Sequence, residues 1–312
     1  MNYFVKIVFI SVVLIQTRIS AQWNLVENLP VSEYSTVYEF NDTLYAGTGN
    51  RLYISADSGN TWNPSAVIKE EVDFISTILK VDNTIFVGTY AHGVFKSTNN
   101  GVSWTTFNNG LTGIIDIEEL VQRGDSIYAG TIGSSIYAAR IDGNAWSPFN
   151  NNIPMNIAGN VFALYNFNGR LITGSGANAN IYYNDAGSTN WTEVPFTKFS
   201  SLGTSMNSII SKGSILYGTG SQGIYSSTDG GLTWLQFDPG FSFVENGSLQ
   251  IYYNTVIAMI ARISGTYYYS SSNNLTQWNL FEYQPGVFTY NFAILNNKIF
   301  ASRFDGLYYT DI

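Results

Sequence analysis

Cysteine is absent from the 312 residues. Disulfides, thiolate metal sites and cysteine nucleophiles are therefore all excluded. Histidine occurs once, as His92. A zinc centre needs more nitrogen ligands, and a nucleophilic triad needs an oriented partner. In Tyr90-Ala91-His92-Gly93 this histidine reads as a loop residue, so neither metal nor cofactor is expected. Charged residues make up only 12% of the chain, about half the usual share. No long amphipathic helix and no low-complexity segment is evident. No glycine loop opens a helix, which leaves nucleotide binding without support.

Long apolar runs are missing too. The one at Ile7 to Ile15 has nine residues, against about 20 for a membrane span. It follows a short segment carrying Lys6 and precedes Ile19-Ser20-Ala21, so residues 1–21 read as an export signal cleaved after Ala21. The expected mature chain, residues 22–312, loses Lys6 and Arg18. Its formal net charge falls from -8 to -10. Nucleic acid and anionic membranes need positive charge and are poor partners for such a chain. A secreted monomer, extracellular or periplasmic, with no membrane insertion after cleavage, is the expectation. The chain stops inside a repeat with no sorting domain after it, which suggests release.

What is present is repetition. Seven tryptophans, at 23, 62, 104, 146, 191, 234 and 278, are spaced by 39, 42, 42, 45, 43 and 44 residues. A period of 40 to 45 points to propeller blades. Glycine gives a second register: Gly47, Gly88, Gly130, Gly174 and Gly218 share one strand context, and Met259 and Ser302 continue the series. Within a strand, glycine marks close approach of another backbone. In the first repeat, Ser35 to Phe40, Thr43 to Thr48 and Arg51 to Ser55 alternate as strands, and Thr61-Trp62-Asn63 begins a fourth. Four antiparallel strands make one blade. The last repeat, from Tyr290, lacks its fourth strand and its tryptophan. Gln22-Trp23-Asn24-Leu25-Val26 would supply both and close the ring. The predicted fold is all-β, with residues 22–312 forming a single seven-bladed propeller.

Each third strand should lead into a tight hairpin. Ser55, Asp57, Gly59 and Trp62 stand in the pattern S-x-D-x-G-x-T-W, as do Ser227, Asp229, Gly231 and Trp234. A softened copy has Ser97, Asn99, Gly101 and Trp104, with Ser103 for the threonine. Glycine supplies positive φ, and the aspartate accepts backbone N–H groups. The tryptophan should pack into the blade, anchored by its indole N–H. The spacing fails the calcium-loop pattern, so these aspartates read as structural. The octet resembles the Asp-box, or BNR repeat, of sialidases and many other secreted propellers. That resemblance is specific for the fold and not for activity. The same fold is similar to the assembly factor of photosystem II, although an export signal and acidic charge do not suit that role.

The resemblance implies that functional residues lie on the face opposite the hairpins. They would sit in loops between strands two and three, or between blades. Arg51, Tyr90, His92, Arg262, Arg303 and Asp305 are the ligand-binding candidates, with Asn178, Gln222 and Phe304 in the same loops. Glu70, Glu71, Asp73, Asp116 and Glu118 fall between blades. Sialidases of this type grip a carboxylate with three arginines and use a tyrosine–glutamate nucleophile pair with an aspartate acid/base. Only Arg51, Arg262 and Arg303 could face the right side, and the arginine motif that opens such domains is absent. The reading is a non-catalytic binding or scaffold protein for a glycan or an extracellular protein. The alternative is a sialidase-like glycoside hydrolase; a retaining or inverting glycosidase would need only two carboxylates at a set separation, for which Glu70, Glu71, Asp73, Asp116, Glu118 and Asp305 are candidates.

Overall fold

The structure, a computed structural model, describes residues 22–30, 33–113, 115–133, 135–153, 161–175, 180–194, 206–220, 222–237, 246–272 and 277–312. The expected export signal and Asn178 lie outside the described residues.

Seven four-stranded antiparallel sheets are arranged as a seven-bladed β-propeller. The inner strands are Thr36–Phe40, Ile75–Val81, Asp116–Arg123, Val161–Phe167, Met206–Lys212, Asn246–Tyr252 and Thr289–Leu295. Six blades run inner to outer in chain order. In the seventh, Asn24–Leu25 lies outside Gly306–Asp311, with Asn24 opposite Tyr309 and Leu25 opposite Tyr308. The Val26 N–H extends the pairing to the Leu307 carbonyl at 2.9 Å. The N-terminal strand thus closes the ring and leaves no unfinished blade.

Alternation in the strands puts apolar side chains on both faces of each sheet, so the core is not one mass. It divides into seven clusters, one at each junction between neighbouring blades. The second-strand glycines belong to these junctions. A Cβ on Gly130 would lie 2.5 Å from Val161 Cγ1, and one on Gly88 would lie 2.6 Å from Ile117 Cγ2. At these two glycines a side chain of the next blade's inner strand makes the close approach, not the backbone expected from the sequence.

The hairpins carry the predicted hydrogen bonds. The Asp229 carboxylate accepts from Ser227 Oγ (2.8 Å), Leu232 N (3.0 Å), Thr233 N (2.9 Å) and Thr233 Oγ1 (2.7 Å). Asp57 accepts from Ser55 Oγ, Thr61 N and Thr61 Oγ1 in the same way. In the softened copy one bond reverses: Asn99 Nδ2 donates to Ser103 Oγ at 2.9 Å. Gly59, Gly101 and Gly231 have φ of 82°, 83° and 89°, so a side chain there would be strained.

The indole anchors divide into three kinds, where the sequence suggested one. Trp62 and Trp234 donate to the glycine carbonyl of their own hairpin, at 3.1 and 3.0 Å. Trp146 and Trp191 donate to Phe107 and Phe149 of the preceding blade, at 2.7 and 2.8 Å. Trp104 Nε1 is buried with no acceptor. Trp146 and Trp191, whose hairpins have lost the octet, thus clasp two blades instead of one hairpin.

Outer strands have two or three residues, except Asn279–Pro285 in the sixth blade, which has seven. A long outer strand invites pairing with other chains. This one carries a bulge at Phe281, the buried carboxylate side chain Glu282 and a terminal proline, all features that blunt an edge.

Candidate binding site at the mouth of the axis

The site begins with a backbone irregularity. Alternation would send successive side chains of an inner strand to the two neighbouring blades in turn. Five inner strands break that rhythm near their first residues. Register shifts fall at Ile75/Thr77, Ile117/Glu119, Val161/Ala163, Met206/Ser208 and Thr289/Asn291. Each leaves one residue unpaired: Ser76, Glu118, Phe162, Asn207 and Tyr290. A bulge of this kind re-aims a side chain. All five lie where the inner strands begin, on the face of the strand two-to-three turns and away from the hairpins.

In the third blade the bulge breaks the alternation of consecutive Glu118 and Glu119. Glu118 accepts from Tyr90 Oη at 2.8 Å, across the junction with the second blade. Asp116 accepts from the Ala91 N–H at 2.6 Å. Glu119 accepts from Thr77 Oγ1 at 3.0 Å, and Thr77 Oγ1 lies 3.4 Å from Tyr38 Oη of the first blade. In the seventh blade Tyr290 donates to Glu33 at 2.8 Å.

Four rings join these groups into a belt. Phe288 and Tyr290 meet edge to face at 5.5 Å between centroids. Tyr290 meets Phe74 at 6.1 Å, and Phe74 stacks on Tyr90 at 4.6 Å, tilted by 20°. Phe74 directly precedes the second blade's inner strand, so the belt runs from the seventh blade past the first to the second. All four rings are half-buried.

Burial pushes the Glu118 carboxyl up to about 7, with the Asp116 charge adding to it and the Tyr90 hydrogen bond opposing. Glu119 is also pushed up to about 7, again chiefly by burial. Tyr90 is raised by burial and by the neighbouring Glu118 charge. Tyr290 rises to about 12, from burial and its bond to Glu33.

Arg303 is committed away from the belt. Arg303 is buried, 6% exposed. Its guanidinium lies 4.6 Å over the Trp23 ring and 4.3 Å over the Tyr308 ring, and its Nη2 reaches Gln284 Oε1. It holds the closing strand to the sixth and seventh blades. Arg262 ends the second strand of the sixth blade and Arg51 starts the third strand of the first, both half-exposed. His92 Nδ1 lies 3.3 Å from Lys69 Nζ, which pairs with Glu71 at 3.6 Å. Asp305 is exposed and accepts from Tyr308 Oη at 3.0 Å. Of the candidate ligand-binding residues, only Tyr90 is in the aromatic belt. Tyr290 escaped the sequence reading because a bulge leaves no mark in an alternating pattern, and Phe74, Phe288 and Glu33 because they lie in connections before inner strands, where no pattern marks them.

Two clefts, of about 420 and 370 Å³, lie away from this mouth. They involve the Asp229 hairpin and the Asn168-Gly169 turn of the fourth and fifth blades. Among the described residues, no group of three or more acidic, histidine or cysteine side chains could hold a metal ion.

Comparison with known proteins agrees with the architecture. A family model for the DUF6242 beta propeller domain matches residues 142–289. No curated protein matches the chain. Among solved structures, YCF48 from Cyanidioschyzon merolae is 15% identical with a TM-score of 0.69, covering 93% of this chain and 98% of that one. A structure of YCF48 bound to D1 peptide is similar at 14% identity and a TM-score of 0.69, over 94% and 95% of the chains. The GH74 xyloglucanase from Xanthomonas campestris is 11% identical with a TM-score of 0.68, covering 93% of this chain and 53% of the enzyme. At these identities the likeness is one of fold. What these structures share with this chain is the β-propeller architecture.

Proposed function

We propose that this chain is a secreted Asp-box propeller that binds a glycan or an extracellular polypeptide at the mouth of its axis, without catalysis. The observation carrying this reading is the half-buried belt Phe288–Tyr290–Phe74–Tyr90, with Glu33, Asp116 and Glu118 held beside it. Aromatic faces next to fixed polar acceptors suit both ligand kinds. Rigid scaffolds that present loops are suited to recognition. The YCF48 structure with D1 peptide is a precedent for a propeller holding a polypeptide.

One observation favours a second reading, a glycoside hydrolase of sialidase-like type. Tyr90 donates to Glu118, and the raised Glu118 carboxyl beside Asp116 has the character of a general acid. Against it stands Arg303, whose guanidinium is enclosed by Trp23 and Tyr308. A screen of the purified protein against fluorogenic sialosides and common glycosides separates the two. The expected result is no turnover beside a working sialidase control, with binding on glycan or peptide arrays that Phe74→Ala abolishes. Turnover abolished by Glu118→Gln would replace the binding reading with the enzymatic one.

A further inference from the structure

The belt and its carboxylates specify a ligand class, and this step rests on the binding reading above. We infer that the mouth of the axis docks an extended, lysine- or arginine-bearing segment of a partner polypeptide. Neither half of the site would carry that alone. Carboxylates by themselves describe a solvated rim, and rings by themselves describe packing.

Together they match a cation on a chain. An ammonium or guanidinium group is drawn to the face of an aromatic ring, more strongly where water is excluded. Phe74 and Tyr90 stack on one another, and both are half-buried rather than enclosed. Glu118 lies at one end of the belt, bonded to Tyr90, and Glu33 at its middle, bonded to Tyr290. Each of these bonds uses one carboxylate oxygen, Glu118 Oε1 and Glu33 Oε1. The tyrosine therefore orients each carboxylate and leaves its charge for a ligand. Glu70 and Asp73 are exposed in the loop just before Phe74, where Lys69 offsets only Glu71, so the approach is net acidic as well. The formal net charge of -8 has the same sign. Opposite charge on the partner would speed encounter and fix its register.

The length of the belt argues for a polypeptide. Three centroid steps of 5.5, 6.1 and 4.6 Å carry it from the seventh blade to the second. Extended chain rises about 3.3 Å per residue, so the belt accommodates roughly four or five residues. A single sugar amine would use one ring and leave the others unoccupied.

Isothermal titration tests this with a defined probe, a Lys-Gly-Lys-Gly-Lys peptide, at pH 8 where Glu118 is ionised. The companion probes are its acetyl-lysine counterpart and neutral oligosaccharides. The Glu33→Gln/Glu118→Gln double variant keeps an acceptor for each tyrosine, and near-ultraviolet circular dichroism checks its fold. Asp82→Asn/Asp125→Asn changes net charge equally, in turns at the opposite face. The inference expects the lysine peptide to bind, the mouth variant to weaken it at least tenfold, the opposite-face variant to change it less than twofold, and acetylation to remove it. Equal weakening by the two variants would reduce the effect to bulk charge and overturn the inference. So would an absence of binding at millimolar peptide. Neutral oligosaccharide binding lost in Phe74→Ala, with no peptide binding, would overturn this inference and leave the binding function intact. Loss of all ligands would sink both.

Discussion

Three tryptophans placed alike in sequence have indoles in different situations, and phenylalanine substitution should tell them apart. Trp146→Phe removes the N–H that reaches the Phe107 carbonyl at 2.7 Å, across two blades. Trp234→Phe removes the N–H that reaches its own Gly231 carbonyl at 3.0 Å. Trp104→Phe removes an N–H that is buried without an acceptor. All three lose the same ring volume, so the transfer and cavity cost is of one kind. It is largest for Trp146 and Trp234, which are 3% and 2% exposed. On top of it, the first two leave a carbonyl unpaired, which costs about 1–3 kcal/mol when buried. Trp104→Phe instead relieves an unsatisfied donor. The expected order of destabilisation is Trp146→Phe and Trp234→Phe together, with Trp104→Phe milder by about 1–2 kcal/mol. In urea unfolding this appears as a lower midpoint at unchanged slope. In a thermal scan it is a few degrees, since about 1 kcal/mol moves a chain of this size by roughly 2–4 °C. Trp104→Phe as harmful as Trp234→Phe would refute the assignment of the indole bonds as the distinguishing term.

Other consequences follow from the junctions and the axis. Gly130→Ala sets a Cβ 2.5 Å from Val161 Cγ1 and should cost about 1–3 kcal/mol by overpacking; an unchanged urea midpoint would show that the blades can part there. Arg303→Ala should lower the melting temperature, because the guanidinium is sandwiched by Trp23 and Tyr308, and desolvated cation–π contacts are worth about 2 kcal/mol. Arg51→Ala, at a half-exposed position, should leave it within a degree or so, about the scale of surface changes. The Glu119 carboxyl is raised from 4.5 to about 7 by burial, so between those values the folded chain holds a proton that the unfolded chain has released. Stability from this group is therefore full below about 4.5 and is lost as pH rises through about 7. Glu119→Gln should flatten the fall of urea midpoint between pH 5 and 8; the same slope in the variant would remove Glu119 as its source.

The ring was legible because its causes are local and repeated. Tryptophans 39 to 45 residues apart, a hairpin glycine requiring positive φ and an aspartate that accepts turn N–H groups each report on a few neighbouring residues. Even closure could be read, since the last repeat lacks the strand that Asn24–Leu25 provides. Junction chemistry was less legible. The sequence marks Gly88 and Gly130 as places of close approach but does not say that Ile117 and Val161 fill them. Arg303 shows the limit more sharply. Its place in a strand two-to-three turn made it a ligand-binding candidate, but the neighbours that enclose it include Trp23, 280 residues away in the chain.

The mouth of the axis was hidden for a different reason. Strand alternation predicts which side chains share a face only while pairing is regular. At Glu118 and Tyr290 a residue is inserted without a partner, so the alternation resets just where the blades converge. These are also the residues that meet groups from other blades: Glu118 meets Tyr90, and Tyr290 meets Phe74 and Glu33. A regular inner strand would turn two consecutive glutamates to opposite neighbours, whereas Glu118 and Glu119 both meet the second blade. The bulge allows this at the expense of one ladder position in the third blade. Such bulges recur next to functional sites because they re-aim side chains without altering the sheet beyond. In this propeller the regular pattern builds the ring, and the departures from it build the surface at its centre. Regularising the third blade by deleting Glu118 should therefore restore the ladder and preserve the fold, while removing the carboxylate that Tyr90 holds. Loss of ligand binding in a variant that still melts cooperatively would separate the two roles.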